Sequence, residues 1–273
     1  MQDADCVGFL QWLLPQLQMR WPGFRKVRRQ VCKRIDRRLT ELGLSDINTY
    51  RDWITSHPEE LQVLDTYCRI TISRFYRDRG VFDRLRDSIL RELAEAAQAT
   101  GRHEWRCWSA GCASGEEPYT VNILWKATVS RLVPNMACRI TATDCNPRVL
   151  QRARAALYSV SSVRDLPREL LDSCFVRVDG QYSVRTQYRQ GIEWYVQDLR
   201  KETPGGQFDL ILCRHLPFTY FDQELQSEVL DRVLSRLRPG GVLVTGKQES
   251  LPAVVSELTA LEPQTGLYRR KGA

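Results

Sequence analysis

The sequence lacks the features that mark membrane, secreted and metal-binding proteins. No apolar run approaches the roughly 18 residues a membrane-spanning helix needs, and Asp3 and Asp5 stand where a secretory signal would carry basic residues. The nine cysteines are odd in number and include no CxxC pair and no Cys/His cluster at zinc spacing. Neither a disulfide framework nor a metal site is therefore expected, and the cysteines read as reduced, mostly buried thiols. Internal repeats and low-complexity segments are absent as well. What remains is ordinary globular composition, 42% hydrophobic in 273 residues, which excludes disorder and collagen-like structure. A soluble, cytoplasmic protein without membrane insertion is expected.

The charge is concentrated. Formal net charge is +7, and the stretch from Arg20 to Arg38 alone holds nine basic residues and one acid, a balance of +8. From Phe24 to Leu42 the apolar residues Phe24, Val27, Val31, Ile35, Leu39 and Leu42 recur at spacings of three and four, predicting an amphipathic helix that Gly43 stops. At about 100° per residue, Arg25, Lys26, Arg29, Lys33 and Arg37 fall opposite that stripe. Such a face either is solvated or docks an acidic partner.

Further helices are predicted at Ile47 to Ile54, Pro58 to Cys68 and Gly80 to Gln98, so the first hundred residues are helical. After Gly101 the pattern changes. Trp105 to Ala110, Arg139 to Thr143, Ile192 to Val196, Phe208 to Cys213 and Val242 to Thr245 read as strands. Helical stretches at Glu117 to Arg131, Pro147 to Leu157 and Gln223 to Leu237 separate most of them. The alternation predicts an α/β domain with a doubly wound parallel sheet. Phe175 to Val178 and Tyr182 to Arg185 flank Asp179-Gly180, a two-residue hairpin signal.

The first strand ends in Trp108-Ser109-Ala110-Gly111-Cys112-Ala113-Ser114-Gly115-Glu116-Glu117-Pro118-Tyr119. Small residues let the backbone turn tightly and approach a ligand, and the following helix offers free N–H groups. Two glutamates in that place argue against a nucleotide phosphate and suit a cationic group, such as the amino group of an amino-acid moiety. The alternative is an ordinary strand-to-helix turn. The second strand ends in Ala142-Thr143-Asp144, where an acid either holds a ribose diol or caps the helix that starts near Pro147. Asp198-Leu199, after the third strand, either flanks an adenine or forms a turn. Cys112 and Cys145 fit as small residues rather than as reactive thiols.

These motifs together resemble the CheR family of S-adenosylmethionine-dependent chemotaxis receptor methyltransferases. The resemblance rests on Ile70-Thr71-Ile72-Ser73-Arg74-Phe75-Tyr76-Arg77-Asp78, the small-residue turn and Ala142-Thr143-Asp144. It continues through Phe208-Asp209-Leu210-Ile211-Leu212-Cys213-Arg214 with Tyr220-Phe221-Asp222, then Pro239-Gly240-Gly241 and Leu267-Tyr268-Arg269. It implies a helical N-terminal domain with a linker, residues 1–78, and a Rossmann-like class I methyltransferase domain, residues 79–273, with a small β-subdomain near 174–190. It also implies S-adenosyl-L-methionine as cofactor. Ala110, Gly111, Cys112, Glu117, Asp144, Asp198, Leu199, Ser73, Arg77, Arg214 and His215 would meet that cofactor. Arg77, Arg214, Tyr220 and His215 would form the catalytic rim; the alternative role of either arginine is to brace a domain interface. The acceptor implied is a glutamate of a chemoreceptor-like helical bundle, an acidic protein suited to the basic helix 24–42; nucleic acid is disfavoured, and a monomer is expected.

Several residues depart from the family pattern. Ser73 replaces the usual threonine, Tyr76 the usual phenylalanine and His215 the usual asparagine, and the segment from Arg214 to Tyr220 is one residue longer and contains Pro217. His215 either accepts a proton from an amine, hydroxyl or thiol acceptor or replaces the asparagine as a hydrogen-bonding group. Two further functions stay open on these grounds: methylation of another protein or a small metabolite, and a non-catalytic module that binds S-adenosylmethionine or its demethylated product.

Overall fold

The computed structural model describes residues 2–252 and 255–272. The chain forms two compact units, one of Met1–Ile70 with Thr219–Gln226 and one of Thr71–Phe218 with Ser227–Ala273.

The first unit is helical: α1 Asp3–Gln16, α2 Trp21–Phe24, α3 Arg28–Leu42, α4 Ile47–Ser56 and α5 Glu60–Cys68. Val31, Ile35 and Leu39 of α3 are buried at helical spacing, as are Phe9, Leu10, Leu13 and Leu14 of α1. Gly43 ends α3 at φ 67°, a left-handed geometry that glycine enters without a Cβ penalty. The helix expected from Phe24 begins instead at Arg28. Gly23, in the short helix before the break, is approached closely: a Cβ there would lie 2.2 Å from the Thr219 carbonyl oxygen. Phe24 stays buried from the preceding turn, so the apolar spacing runs unbroken through a backbone that does not. Arg25 and Lys26 consequently leave the helix.

A second correction concerns the cysteines. Cys6 of α1 and Cys32 of α3 are joined as a disulfide, with Cα atoms 5.9 Å apart. No spacing rule reveals such a pair, because two helices bring together residues 26 apart in sequence. The other seven cysteines are unbonded, and five of them are buried.

The α3 cations have distinct fates. Arg28 pairs with Asp3, and Arg34 donates to the carbonyls of Tyr67 and Arg69. Arg38 grips Glu60 through Nε and Nη2 at 2.8 and 2.9 Å, while the Tyr50 hydroxyl donates to the same carboxylate at 2.6 Å. Burial alone would raise Glu60, but the bonds from Arg38 and Tyr50 outweigh it and hold the carboxyl below its ordinary range. Glu60 is 2% exposed, so removing it takes the buried carboxylate from half-buried Arg38 and leaves the buried Tyr50 hydroxyl without its acceptor. A folded-state pKa below the unfolded one contributes stability above the unfolded value and loses it as pH falls. Glu60→Ala should cost about 3 kcal/mol in urea unfolding at pH 7, with the difference from the parent narrowing below pH 4.

The second unit contains a seven-stranded sheet in the order β6-β2-β1-β7-β8-β10-β9. Its elements begin with the helices α6 Arg79–Arg84 and α7 Leu90–Ala99, joined by a π turn at Leu85–Ile89. Then come β1 Glu104–Ala110, α8 Glu116–Leu124 with a π turn at Trp125–Val129, β2 Ala137–Asp144, α9 Pro147–Ala155 and β3 Leu157–Tyr158. The short helices α10 Val160–Val163 and α11 Arg168–Cys174 precede β4 Phe175–Val178, β5 Gln181–Val184 and β6 Ile192–Val196. The chain closes with β7 Phe208–Leu212, α12 Pro217–Tyr220, α13 Gln223–Arg236, β8 Leu237–Val244, β9 Leu258–Ala260 and β10 Leu267–Arg270. Strands β6, β2, β1, β7 and β8 run parallel, and β10 and β9 complete the sheet antiparallel. Leu210, Leu212, Val242 and Val244 pack with Phe82, Leu85 and Trp105 in one core.

The hairpin turns at Asp179 and Gly180, φ 47° and 77°. It is the core of a three-stranded sheet, β3-β5-β4, whose two-residue strand β3 is too short to leave a sequence signal. The order places β2 on one side of β1 and β7 on the other. Connections diverge there, and ligands of such sheets bind in the crevice this opens at the C-terminal strand ends.

Candidate active site

Three segments of the second unit converge at that crevice. The turn after β1 supplies Gly111 to Glu117, the end of β7 supplies Arg214 and His215, and the irregular segment 71–78 supplies Ser73, Arg77 and Asp78. Four of the eight non-glycine residues with positive φ among the described residues lie on these segments: Tyr76, Asp78, Ala113 and His215. Such geometry costs of order 1–3 kcal/mol per residue and persists only where surrounding bonds enforce it.

Arg214 is the centre of those bonds, with its side chain 3% exposed. Nη1 donates to Glu117 Oε2 at 3.0 Å, and Nη2 to Asp78 Oδ2 at 2.9 Å and to the Arg77 carbonyl at 2.7 Å. The guanidinium also lies 5.0 Å from the centre of the Phe82 ring. Glu117 takes a further bond from the Ser109 hydroxyl at 2.7 Å. His215 Nε2 is 2.9 Å from Asp78 Oδ2. Burial would raise the Asp78 carboxyl, yet the His215 hydrogen bond and the Arg214 charge hold it well below the usual carboxylate range. Arg77 is half-buried, and its Nη1 donates to the Ile72 carbonyl at 2.8 Å.

Asp144, at the end of β2, has both oxygens anchored by backbone N–H groups, Oδ2 from Ala113 at 3.0 Å and Oδ1 from Asn146 at 2.9 Å. Asn146, not Asp144, caps α9, accepting from the Arg148 N–H. Gly111 turns at φ 73°, and a Cβ there would meet the Leu216 side chain at 2.5 Å. Ala110, Cys112 and Leu199 are buried, and burial pushes the Cys112 thiol far up, away from the reactive thiolate. Asp198, after β6, pairs with Arg200 at 2.7 Å. Tyr220 belongs to the helical unit, where its ring meets Phe24 edge-on at 5.0 Å between centroids. The additional hydroxyl of Tyr76 donates to Asp83 at 3.0 Å.

Two further residues of this region have no individual signal in the sequence. Glu116 is buried with Oε2 unpartnered while the Ser73 hydroxyl bonds its carboxyl. Glu249, after β8, accepts from the His215 and Gly246 N–H groups. The doublet Glu116-Glu117 was visible as a pair, but no pattern tells which member faces the crevice; Glu249 carries no motif signal.

A parallel sheet with its crevice at the β1/β7 switch point, an anchored acid at the end of β2 and a carboxylate behind a small-residue turn define a Rossmann-like methyltransferase domain. The residue types fit an S-adenosyl group: the Asp144 carboxylate would serve a diol and the Glu117 carboxylate an ammonium, with the small residues of the turn between them. A family model described as CheR methyltransferase, SAM binding domain, matches residues 71–266. The chain belongs to the CheR methyltransferase family, and its cofactor is S-adenosylmethionine. It is 31% identical over 229 residues to a probable chemotaxis protein methyltransferase of Rhizobium etli, covering 80% of this chain and 83% of that protein. To the chemotaxis protein methyltransferase of Escherichia coli it is 30% identical over 231 residues, covering 82% and 77%. An uncharacterized 104.1 kDa protein of Rhodobacter capsulatus is 31% identical over 245 residues, and there the chain covers 89% of itself but spans only 25% of the relative.

Burial raises Glu116 above the ordinary glutamate range, against the bond from Ser73 and the charge of Arg152. A raised folded-state value means that the ionised carboxylate costs stability once pH exceeds the unfolded value. Glu116→Gln should therefore raise the thermal midpoint at pH 8 by about 2–4 °C, a gain of the order of 1 kcal/mol in a domain of this size, and the gain should shrink toward pH 4.

Proposed function

We propose that the protein O-methylates glutamate side chains of a chemoreceptor-like protein in the cytoplasm. The observation that carries this reading is the disposition of His215, the imidazole on the β7 segment. Its Nε2 faces Asp78, and its Nδ1 and Cε1 lie 2.6 Å from where a Gly246 Cβ would stand. A wedged imidazole of this kind supports the hydrogen-bonding role over that of a general base. A glutamate acceptor is already ionised near pH 7 and requires no base.

When bound, S-adenosylmethionine supplies an electrophilic methyl on a sulfonium with a good leaving group. The chain's task is then alignment, which can be worth about 7–11 kcal/mol. Glu117, held by Arg214 and Ser109, would accept from the ammonium group, Asp144 would accept from the ribose hydroxyls, and Asp198 and Leu199 would flank the adenine. Arg214 is committed to two carboxylates and holds the binding side of the crevice. Arg77, on the half-exposed rim, orients the incoming carboxylate, with Ser73 as the further family position in this unit. An ion pair from one half-solvated arginine steers an acceptor without quenching its nucleophilicity.

The relatives in Rhizobium etli and Escherichia coli are named for chemotaxis methylation, which supports a receptor as acceptor. Incubating receptor bundles with methyl-labelled cofactor should give label released by base as volatile methanol, the signature of an ester. Label retained after base treatment would point to an amine acceptor and overturn the glutamate assignment.

The acidic acceptor is proposed to dock on the basic surface of the first unit. Arg25, Lys26, Arg29 and Lys33 are exposed, and none forms a salt bridge among the described residues. Complementary charge of this kind acts mainly on encounter and register. Reversing Arg29 and Lys33 to glutamate should raise the apparent KM for a receptor severalfold, more at low salt than at high, and leave cofactor affinity unchanged.

A further inference from the structure

We propose that Glu249 is a positioning residue for the cofactor carboxylate Glu117, acting through His215, Asp78 and Arg214. The inference rests on the reading that Glu117 meets the cofactor. Glu249 is 9% exposed, and its Oε2 accepts from the His215 N–H at 2.8 Å and the Gly246 N–H at 2.7 Å. Those bonds pin residue 215 at φ 55°, in the left-handed region that an L-residue enters at a conformational cost. Held there, the imidazole reaches Asp78 Oδ2 at 2.9 Å, the same oxygen that accepts from Arg214 at 2.9 Å. Arg214 in turn meets Glu117 at 3.0 Å.

The loop after β8, the end of β7, the segment 71–78 and the start of α8 are thereby joined in one chain of bonds. Gly246 makes room for it: a Cβ there would lie 2.6 Å from the imidazole and 2.8 Å from Glu249 Oε2. Without the Glu249 oxygen, two N–H groups lose their acceptor and His215 can relax out of the left-handed region. Asp78 then loses one of the two side chains that fix it, and the guanidinium in front of Glu117 is no longer held in one place.

Calorimetric titration of the full chain with S-adenosylhomocysteine tests this without any methyl acceptor, so the outcome is independent of which protein is methylated. Glu249→Ala should weaken binding about tenfold, the low end of what loss of an orienting partner costs a site. Glu249→Gln keeps an acceptor oxygen and should restore most of that affinity. Gly246→Ala, which pushes on the imidazole from the other side, should match Glu249→Ala. Glu117→Gln, run in parallel, tests the underlying reading and should also weaken binding. Melting curves on the same samples separate stability from affinity. The proposal is overturned by wild-type affinity in Gly246→Ala or in folded Glu249→Ala, or by a Glu249→Gln as weak as the alanine variant. Wild-type affinity in Glu117→Gln would instead refute the assignment of Glu117.

Discussion

A buried guanidinium organises the catalytic unit. Taking Arg214 out of water costs several kcal/mol, which the interior returns only through well-placed charges and hydrogen bonds. The return comes from Glu117 on α8, from Asp78 and the Arg77 carbonyl on the 71–78 segment, and from the face of Phe82 on α6. These groups come from separate stretches of chain, so burying one cation fixes their mutual placement. Loss of the guanidinium would leave Glu117 and Asp78 without their shared cation, so the arrangement depends on Arg214 more than on any one of its partners.

The backbone around it reflects that constraint. Tyr76, Asp78 and His215 occupy the left-handed region because side-chain bonds and packing demand it, and Ala113 does so where its N–H anchors Asp144. Glycine serves differently. Gly111 and Gly115 turn at φ 73° and 90°, and their missing Cβ atoms make room for Leu216 and Trp194. The small-residue turn is thus as much a packing device as a ligand cradle.

Much of this was legible in the sequence. The five parallel strands fall within a few residues of their apolar runs, apart from the early start of β8, and the hairpin at Asp179-Gly180 is where its turn signal puts it, with the second strand shifted one residue earlier. What escaped did so for physical reasons. The break before α3 is hidden because Phe24 remains in the core on either backbone path. The Cys6–Cys32 pair, β3, and the antiparallel strands β9 and β10 depend on tertiary neighbours rather than on local pattern. In the site, Asp144 and Arg214 stand at strand ends and Glu117 in the first turn of the helix after β1, where position itself is informative. Glu116 and Glu249 are distinguished only by what surrounds them.

The left-handed geometry at residue 215 bears on how this lineage could drift. The family usually has asparagine there, and asparagine, aspartate and histidine are the non-glycine residues most enriched at positive φ. Histidine at this position is therefore compatible with the backbone, and its ring is long enough to reach Asp78. A β-branched residue at the same place would pay the conformational cost without a hydrogen bond to offset it. The permitted path of substitution is narrow, set by a dihedral angle before any question of chemistry arises, and histidine lies on it.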